Sequence, residues 1–213
     1  MSTHDRRSEQ IEASPSFKSF NKDFAEGKPQ LIFTRLVADL ETPVSAYLKL
    51  SAKGQMGLLL ESVEGGAQRG RYSIIGLQPD IVWRAFGTRA DINHTPKRGE
   101  QGFKPQKAET LDALRALLAE STIDVPQGLP PMAAGVFGYM GYDTVRLIEH
   151  LPDVPPDDLD VPDAVLIRPT VMVIFDDIKD EMTIVTPVRP KPSKRENPDT
   201  AYNAALKRLR SIV

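Results

Sequence analysis

The chain has 213 residues, an apolar fraction of 40%, a charged fraction of 26% and a formal net charge of −2. These values are typical of a globular protein, and the near-neutral charge argues against general binding to nucleic acid or to an anionic membrane. No apolar stretch is long enough to cross a bilayer, and the polar first residues do not resemble a secretory signal. The absence of cysteine excludes disulfides and thiolate metal sites, and it fits a cytoplasmic location.

The first part of the chain predicts a loose leader, a strand and a helix. Residues 1–27 are polar, so we expect a flexible leader that carries at most a short helix around 17–24. The β-branched and aromatic run 31–37 predicts a strand. Thr42 followed by Pro43 is typical of a helix cap and first turn, so we expect a helix to follow.

The middle of the chain predicts three strands and an amphipathic helix. Apolar runs over 56–62, 71–77 and 81–87 are each of a length that suits a strand. Thr110 is expected to cap a helix with one apolar stripe. That stripe consists of Leu111, Leu114, Leu117 and Leu118.

The segment after this helix is rich in glycine and then in proline and aspartate. Residues 133–140 predict a strand of small residues, in which Gly135 and Gly138 mark places where another group approaches the backbone closely. A short helix is expected over 142–150. The proline-bearing, acidic stretch 151–162 predicts an extended surface loop.

The last part predicts a hairpin followed by a helix. Two strands are expected over 165–175 and 181–188, joined by an aspartate-rich turn without glycine. After a charged linker, Asn197 and Pro198 predict the start of a final helix. Its apolar stripe is intact up to Val213, so we expect the sequence to continue into a further domain. Because the strands come in consecutive groups, the predicted fold class is antiparallel α+β.

Two motifs are candidates for a ligand site. Glu61 and Ser62 close an apolar run, where a carboxylate and a hydroxyl can bind a small polar ligand, although a strand that simply runs out into solvent is the more common case. The segment 64–72 is glycine-rich and basic. Arg71 and Tyr72 stand where a phosphate-binding loop needs Lys and Ser or Thr, so we reject a nucleotide loop and keep a plain connection or a ligand lid as alternatives.

A third motif places aromatic and acidic residues at a strand-to-helix turn. Tyr142 and Asp143 can line a pocket, but we favour Asp143 as the cap of the following helix. The three histidines are scattered and match no zinc or hydrolase spacing. The aspartates of 153–163 lack calcium-binding spacing. We therefore predict no catalytic residue and no metal ligand in this chain.

Four motifs in order resemble the amino-terminal region of anthranilate synthase component I, a member of the chorismate-utilising enzymes. The resemblance covers 28–190, followed by a linker and the start of a connecting helix over 191–213. The motifs are Leu58-Leu59-Leu60-Glu61-Ser62, Gly70-Arg71-Tyr72-Ser73-Ile74-Ile75-Gly76, Gly135-Val136-Phe137-Gly138-Tyr139-Met140-Gly141-Tyr142-Asp143 and Leu151-Pro152.

The resemblance implies a role in tryptophan biosynthesis. The family converts chorismate to anthranilate and pyruvate, using ammonia from a glutamine amidotransferase subunit and Mg²⁺ in the complete enzyme, and it is inhibited by tryptophan. The amino-terminal part contributes strands to a β-sandwich that houses the inhibitor. By motif match, the tryptophan-binding residues implied here are Leu60, Glu61, Ser62, Arg71 and Tyr72. An anion for the ammonium group, donors for the carboxylate and apolar walls for the indole are what such a ligand requires.

The family's chorismate- and magnesium-binding residues lie in a carboxy-terminal half that this sequence lacks. The resemblance therefore implies a sandwich half that is incomplete alone, has no cofactor of its own and is not catalytic by itself. Two alternatives stay open: the amino-terminal part of the sister enzyme aminodeoxychorismate synthase, and a stand-alone amino-acid-binding module.

Overall fold

A computed structural model describes residues 11–51, 55–62, 70–154, 156–190 and 196–213. They form helices and antiparallel strands, which confirms the predicted α+β class. The chain divides into two compact units. The first comprises 1–78, 123–134 and 170–213, and the second comprises 79–122 and 135–169. In the described residues, no helix is both long and apolar enough to span a membrane.

The predicted elements follow one another in the expected order, but the strands at Arg89–Asn93 and Lys104–Pro105 and the 3-10 segment at Pro96–Gly102 were not predicted. The helices are α1 (Phe17–Ala25), α2 (Pro43–Leu50), α3 (Thr110–Ser121) and α4 (Pro198–Arg210), with 3-10 segments at Pro96–Gly102 and Tyr142–Leu147. The strands are β1 (Gln30–Val37), β2 (Gly57–Leu60), β3 (Tyr72–Phe86), β4 (Arg89–Asn93), β5 (Lys104–Pro105), β6 (Phe137–Met140), β7 (Ala164–Asp176) and β8 (Glu181–Val188). The strand order is β1-β8-β7-β3-β4-β5, with β2 beside β3 and β6 beside β7.

In the first unit, helices pack on one face of the strands. Ile32 of β1, Val173 of β7 and Ile184 of β8 are fully buried in the same cluster as Leu209 of α4. The predicted start of α4 is confirmed, because the Asn197 side chain accepts a hydrogen bond from the backbone N–H of Asp199 at 2.8 Å. The cap of α2 is confirmed too, as a capping box between Thr42 and Ser45.

Helix α1 differs from the expectation of a flexible leader over 1–27. Phe17, Phe20 and Phe24 recur at helical spacing, so one face of this short helix is apolar. Phe20 and Phe24 are buried in the core of the first unit. The predicted short helix is therefore confirmed, but it is a packed part of the unit. Residues 1–10 lie outside the described part.

Strand β3 is continuous where two strands were predicted. Gln78-Pro79 indicates a break, and Gln78 does adopt a left-handed backbone with φ 51°. Thr170 of β7 donates its hydroxyl to the carbonyl oxygen of Gln78 at 2.6 Å. This hydrogen bond from β7 stabilises the distorted backbone at Gln78, and β3 continues as an extended strand to Phe86.

The second unit packs α3 against β3, β4 and β7. Trp83, Ala113, Leu117 and Ala164 are buried in one cluster. The predicted cap of α3 is wrong by one residue, because the N-cap is Glu109. Thr110 instead donates its hydroxyl to the carbonyl oxygen of Gly87 at 2.7 Å, which leaves that hydroxyl committed to the preceding turn.

The turn between β6 and the following 3-10 segment corrects two further expectations. The strand predicted over 133–140 begins only at Phe137. Gly138 has φ 155°, and a Cβ there would lie 1.9 Å from the carbonyl oxygen of Val165, so the predicted close backbone approach is present at Gly138. It is absent at Gly135, where the nearest atom to a Cβ is an ordinary 3.7 Å away on the Phe137 ring. The cap is Gly141 rather than Asp143, whose carboxylate accepts from Arg146 at 2.7 Å.

The loop 151–162 and the hairpin that follows it agree with the predictions in the residues that the structure describes. The residues of 151–162 that the structure describes form no helix or strand. The hairpin of β7 and β8 is confirmed, and Asp180 takes the left-handed position with φ 50° that glycine often occupies in such turns. The linker residues 191–195 lie outside the described part.

Candidate functional site

The motifs 58–62 and 70–76 lie next to each other in the first unit, at the end of β2 and the start of β3. Strands β2 and β3 are antiparallel, and Leu60 lies opposite Ile74. Beyond the last pair, the backbone N–H of Ser62 donates to the Ser73 hydroxyl at 3.2 Å. A Cβ on Gly70 would lie 1.5 Å from the Ser62 hydroxyl oxygen, so the two segments touch. The connection 63–69 lies outside the described residues.

The pairing also determines which face each side chain takes. Leu59 packs toward the helices with its partner Ile75, so Leu60 and Tyr72 lie on the opposite face. Leu60 and Glu61 are exposed, and Tyr72 is half-buried.

A cavity of about 170 Å³ opens at the start of β3 in the first unit. It is lined by Arg71, Tyr72, Gly128, Leu129, Pro130, Asp176, Lys179, Glu181 and Thr183. Two of the five predicted site residues, Arg71 and Tyr72, are among them, whereas Leu60, Glu61 and Ser62 are not. The residues that the sequence analysis missed come from the 123–134 segment and from the β7–β8 hairpin.

Arg71 and Asp176 form the central ion pair of this cavity. Nε and Nη2 of Arg71 donate to the two carboxylate oxygens of Asp176 at 3.1 and 2.9 Å. The Asp176 side chain is only 7% exposed. Its pKa is lowered by the hydrogen bonds from Arg71, and these same bonds raise the pKa of Arg71. The guanidinium also lies over the Tyr72 ring, 4.8 Å from its centroid.

A second arginine, Arg35, contacts the side of the cavity formed by the 123–134 segment and β8. Arg35 Nε lies 3.2 Å from a carboxylate oxygen of Glu181. Its Nη2 donates to the carbonyl oxygen of Gly128 at 2.8 Å. Arg35 thus ties the segment that carries Leu129 and Pro130 to strand β8, and the cavity has two charged pairs beside one apolar wall. This arrangement can bind a small ligand that carries both charges and apolar surface.

The ion pair at the cavity predicts a pH-dependent stability. We expect Asp176→Asn to destabilise the chain at neutral pH and the difference from the parent to shrink on acidification. Because the pKa of Asp176 is lowered in the folded state, its carboxylate stabilises above the ordinary aspartate pKa of about 4. That contribution is lost as pH falls through the lower folded-state value.

Denaturant unfolding of both proteins between about pH 7 and pH 3 checks this prediction. Asp177→Asn is the matched control, because Asp177 is an exposed neighbour for which the structure records no ion pair among the described residues. A difference between parent and Asp176→Asn that stays constant over the whole pH range would contradict the role of the pair.

Within the described ranges, no group of three or more His, Asp or Glu side chains is arranged to hold a metal ion. The Mg²⁺ that the resemblance implies for the complete enzyme stays an expectation.

Curated proteins that are similar in sequence to this chain share one description. No protein-family profile matches the chain. It is 49% identical over 172 residues to anthranilate synthase component 1 of Cereibacter sphaeroides, a match that covers 81% of this chain and 34% of that protein. The corresponding protein of Thermus thermophilus is 41% identical over 155 residues, covering 72% of this chain and 31% of the relative.

A solved structure also resembles the chain. Anthranilate synthase component I from Streptococcus pneumoniae is 21% identical, with a TM-score of 0.49, covering 82% of this chain and 36% of that one. The chain spans about a third of the length of the curated relatives it matches. On the sequence matches, it belongs to the anthranilate synthase component 1 family.

Proposed function

We propose that this chain is the amino-terminal, tryptophan-sensing part of an anthranilate synthase component 1. The observation that carries the proposal is the 49% identity over 81% of the chain to a component 1 protein nearly three times as long as the match. The complete protein is a lyase that forms anthranilate and pyruvate from chorismate, with a glutamine amidotransferase subunit as its ammonia source. The chain by itself contributes regulation and scaffold rather than catalysis.

We place the inhibitor at the strand ends of β2 and β3. Leu60 and Tyr72 share one face, and Ser62 contacts Gly70 next to Arg71. These groups supply an apolar wall, a hydroxyl and a cation, which suit the indole, the polar head group and the carboxylate of tryptophan. A coupling free energy of about 1–3 kcal/mol between this site and the chorismate site is enough for 5- to 150-fold inhibition.

The proposal predicts that Ser62→Arg or Glu61→Lys weakens tryptophan inhibition of the complete protein and leaves turnover unchanged. A charged hydrogen bond contributes about 1.5–3 kcal/mol, so we expect the tryptophan concentration for half-inhibition to rise at least about tenfold. Steady-state anthranilate formation at a series of tryptophan concentrations measures this.

Ser19→Arg serves as the matched control, since Ser19 is an exposed serine on α1 of the same unit. It should leave the half-inhibition concentration unchanged. Inhibition constants equal to the parent's for both site variants would remove the assignment of the inhibitor site. If the complete protein forms no anthranilate, the proposed function itself is wrong.

A further inference from the structure

We propose that two copies of this chain associate through their second units, with an acidic strip of each copy on a basic hairpin of the other. The acidic strip comprises the described residues of 148–161, and the basic hairpin comprises residues 89–107. Both surfaces belong to the second unit. The inference goes beyond the proposed function and does not depend on it.

The acidic strip exposes both negative charge and apolar surface. Its sequence contains no lysine or arginine. Exposed apolar surface with a polar rim is typical of a protein–protein contact, and the negative charge argues against nucleic acid or an anionic membrane as the partner. The exposed carboxylates are those of Glu149, Asp153, Asp157, Asp158 and Asp160. The apolar side chains among them are 55–76% exposed and belong to Ile148, Val154, Leu159 and Val161.

The acidic strip is fastened near both ends, although it forms no helix or strand. Arg146 Nη1 donates to the carbonyl oxygen of Leu151 at 2.9 Å. Just after the strip, the backbone N–H of Asp163 donates to the carbonyl oxygen of Ala85 at 2.8 Å. The prolines within the strip also restrict its backbone. Because much of the ordering is already present in the free chain, a partner that binds the strip pays a smaller entropic cost.

The basic hairpin carries the opposite charge. Its two carboxylates, Asp91 and Glu100, are both engaged by Arg84, which donates to them at 3.1 and 2.7 Å. The cations of the hairpin therefore keep a net positive field that these acids do not neutralise. The exposed cations are Arg89, Lys97, Arg98, Lys104 and Lys107.

A buried asparagine fixes the shape of the loop in this hairpin. Asn93 is 1% exposed, and its side chain accepts from the backbone N–H of Thr95 at 2.8 Å and donates to the carbonyl oxygen of Gly99 at 3.0 Å. Lys97 and Arg98 lie between these two anchor points. Their positions are thus defined before a partner arrives, as a specific contact requires.

The two surfaces fit each other in a second copy of the chain. No ion pair is recorded between the strip and the hairpin of one copy among the described residues. Asp163 accepts from the backbone N–H of Gly87, so the end of the strip lies beside the turn where the hairpin begins. In a two-fold dimer each surface receives what it also supplies. A two-fold axis near this turn therefore places each strip on the partner's hairpin.

The first test is sedimentation velocity of the full 213-residue chain over a concentration series at two salt concentrations. We expect a monomer–dimer equilibrium. The dissociation constant should rise at least about tenfold between about 0.1 M and about 1 M NaCl, because the Debye length falls from about 10 Å to about 3 Å. A chain that stays monomeric at every concentration would overturn the proposal, and so would a dimer that is insensitive to salt.

Charge reversal then assigns the two surfaces. One variant combines Lys97→Glu with Arg98→Glu, and the other combines Asp157→Lys with Asp158→Lys. Each variant alone should weaken dimerisation at least about tenfold, because like charges then face each other across the interface. An equimolar mixture should restore the dimer, since each reversed hairpin meets a reversed strip. Restoration also shows that both variants are folded.

The control combines Lys18→Glu with Lys22→Glu, which makes the same charge change at exposed positions of α1. It should dimerise like the parent. Three results would contradict the reciprocal contact: reversal variants that dimerise as well as the parent, a mixture that stays monomeric, or a mixture that forms species larger than a dimer, which would indicate an open head-to-tail contact.

Discussion

Arg168→Ala should lower the free energy of unfolding by about 1.5–3 kcal/mol, because it removes a buried guanidinium that hydrogen-bonds two half-exposed carboxylates of the second unit. The Arg168 side chain is 8% exposed. It donates to both carboxylate oxygens of Asp80 at 2.7 and 2.8 Å and to Glu120 at 3.2 Å. Burial disfavours the charged guanidinium, but hydrogen bonds and charge from Asp80 and Glu120 outweigh it and raise the pKa of Arg168.

Loss of this cation leaves two carboxylates from β3 and α3 without their counter-charge. Arg168 lies on β7, so the cluster joins three elements of the unit, and its removal weakens all three contacts together. Guanidinium chloride unfolding of parent and variant measures the change. Arg115→Ala is the matched control on α3, since Arg115 and its partner Asp112 are 70% and 72% exposed. It should cost less than about 1 kcal/mol. Equal effects of the two variants would show that the cluster contributes no more than a surface pair.

Local signals were sufficient for the starts of two helices. The pair Thr42-Pro43 and the pair Asn197-Pro198 each start a helix in the structure, because the cap and the first-turn proline act within four residues. The same local reading fails at Gln78. The proline after it indicates a break, but the hydroxyl of Thr170, 92 residues away, supports the carbonyl at that position. No pattern near Gln78 contains that information.

The candidate site shows the same limit. Arg71 and Tyr72 were identified because the motif around them resembles a family. Their partner Asp176 is 105 residues further along the chain, in a turn whose composition indicates only a hairpin. Glu181 begins the next strand and carries no local sign of a site. The face that Leu60 takes on β2 also depends on a pairing register with β3 that the sequence alone does not define.

Phe20→Ala should lower the free energy of unfolding by about 3–5 kcal/mol, as expected for removal of a buried aromatic ring. Phe20 is fully buried, and its ring centroid lies 5.1 Å from those of both Phe24 and Tyr202. The side chain therefore joins α1 to α4. Its loss leaves a cavity between two helices that cover the strands of the first unit.

Leu48→Ala is the control, since Leu48 is 70% exposed on α2 and its truncation should change stability by less than about 0.5 kcal/mol. Denaturant unfolding followed by far-UV circular dichroism measures both variants. The composition of 1–27 favours a leader that contributes nothing to the core, whereas the packing of Phe20 makes α1 part of it. A loss of less than about 1 kcal/mol in Phe20→Ala would contradict the packing of α1 and support the leader predicted from the composition. A larger loss would show that one apolar stripe in a polar segment is enough to fold that segment onto the sheet.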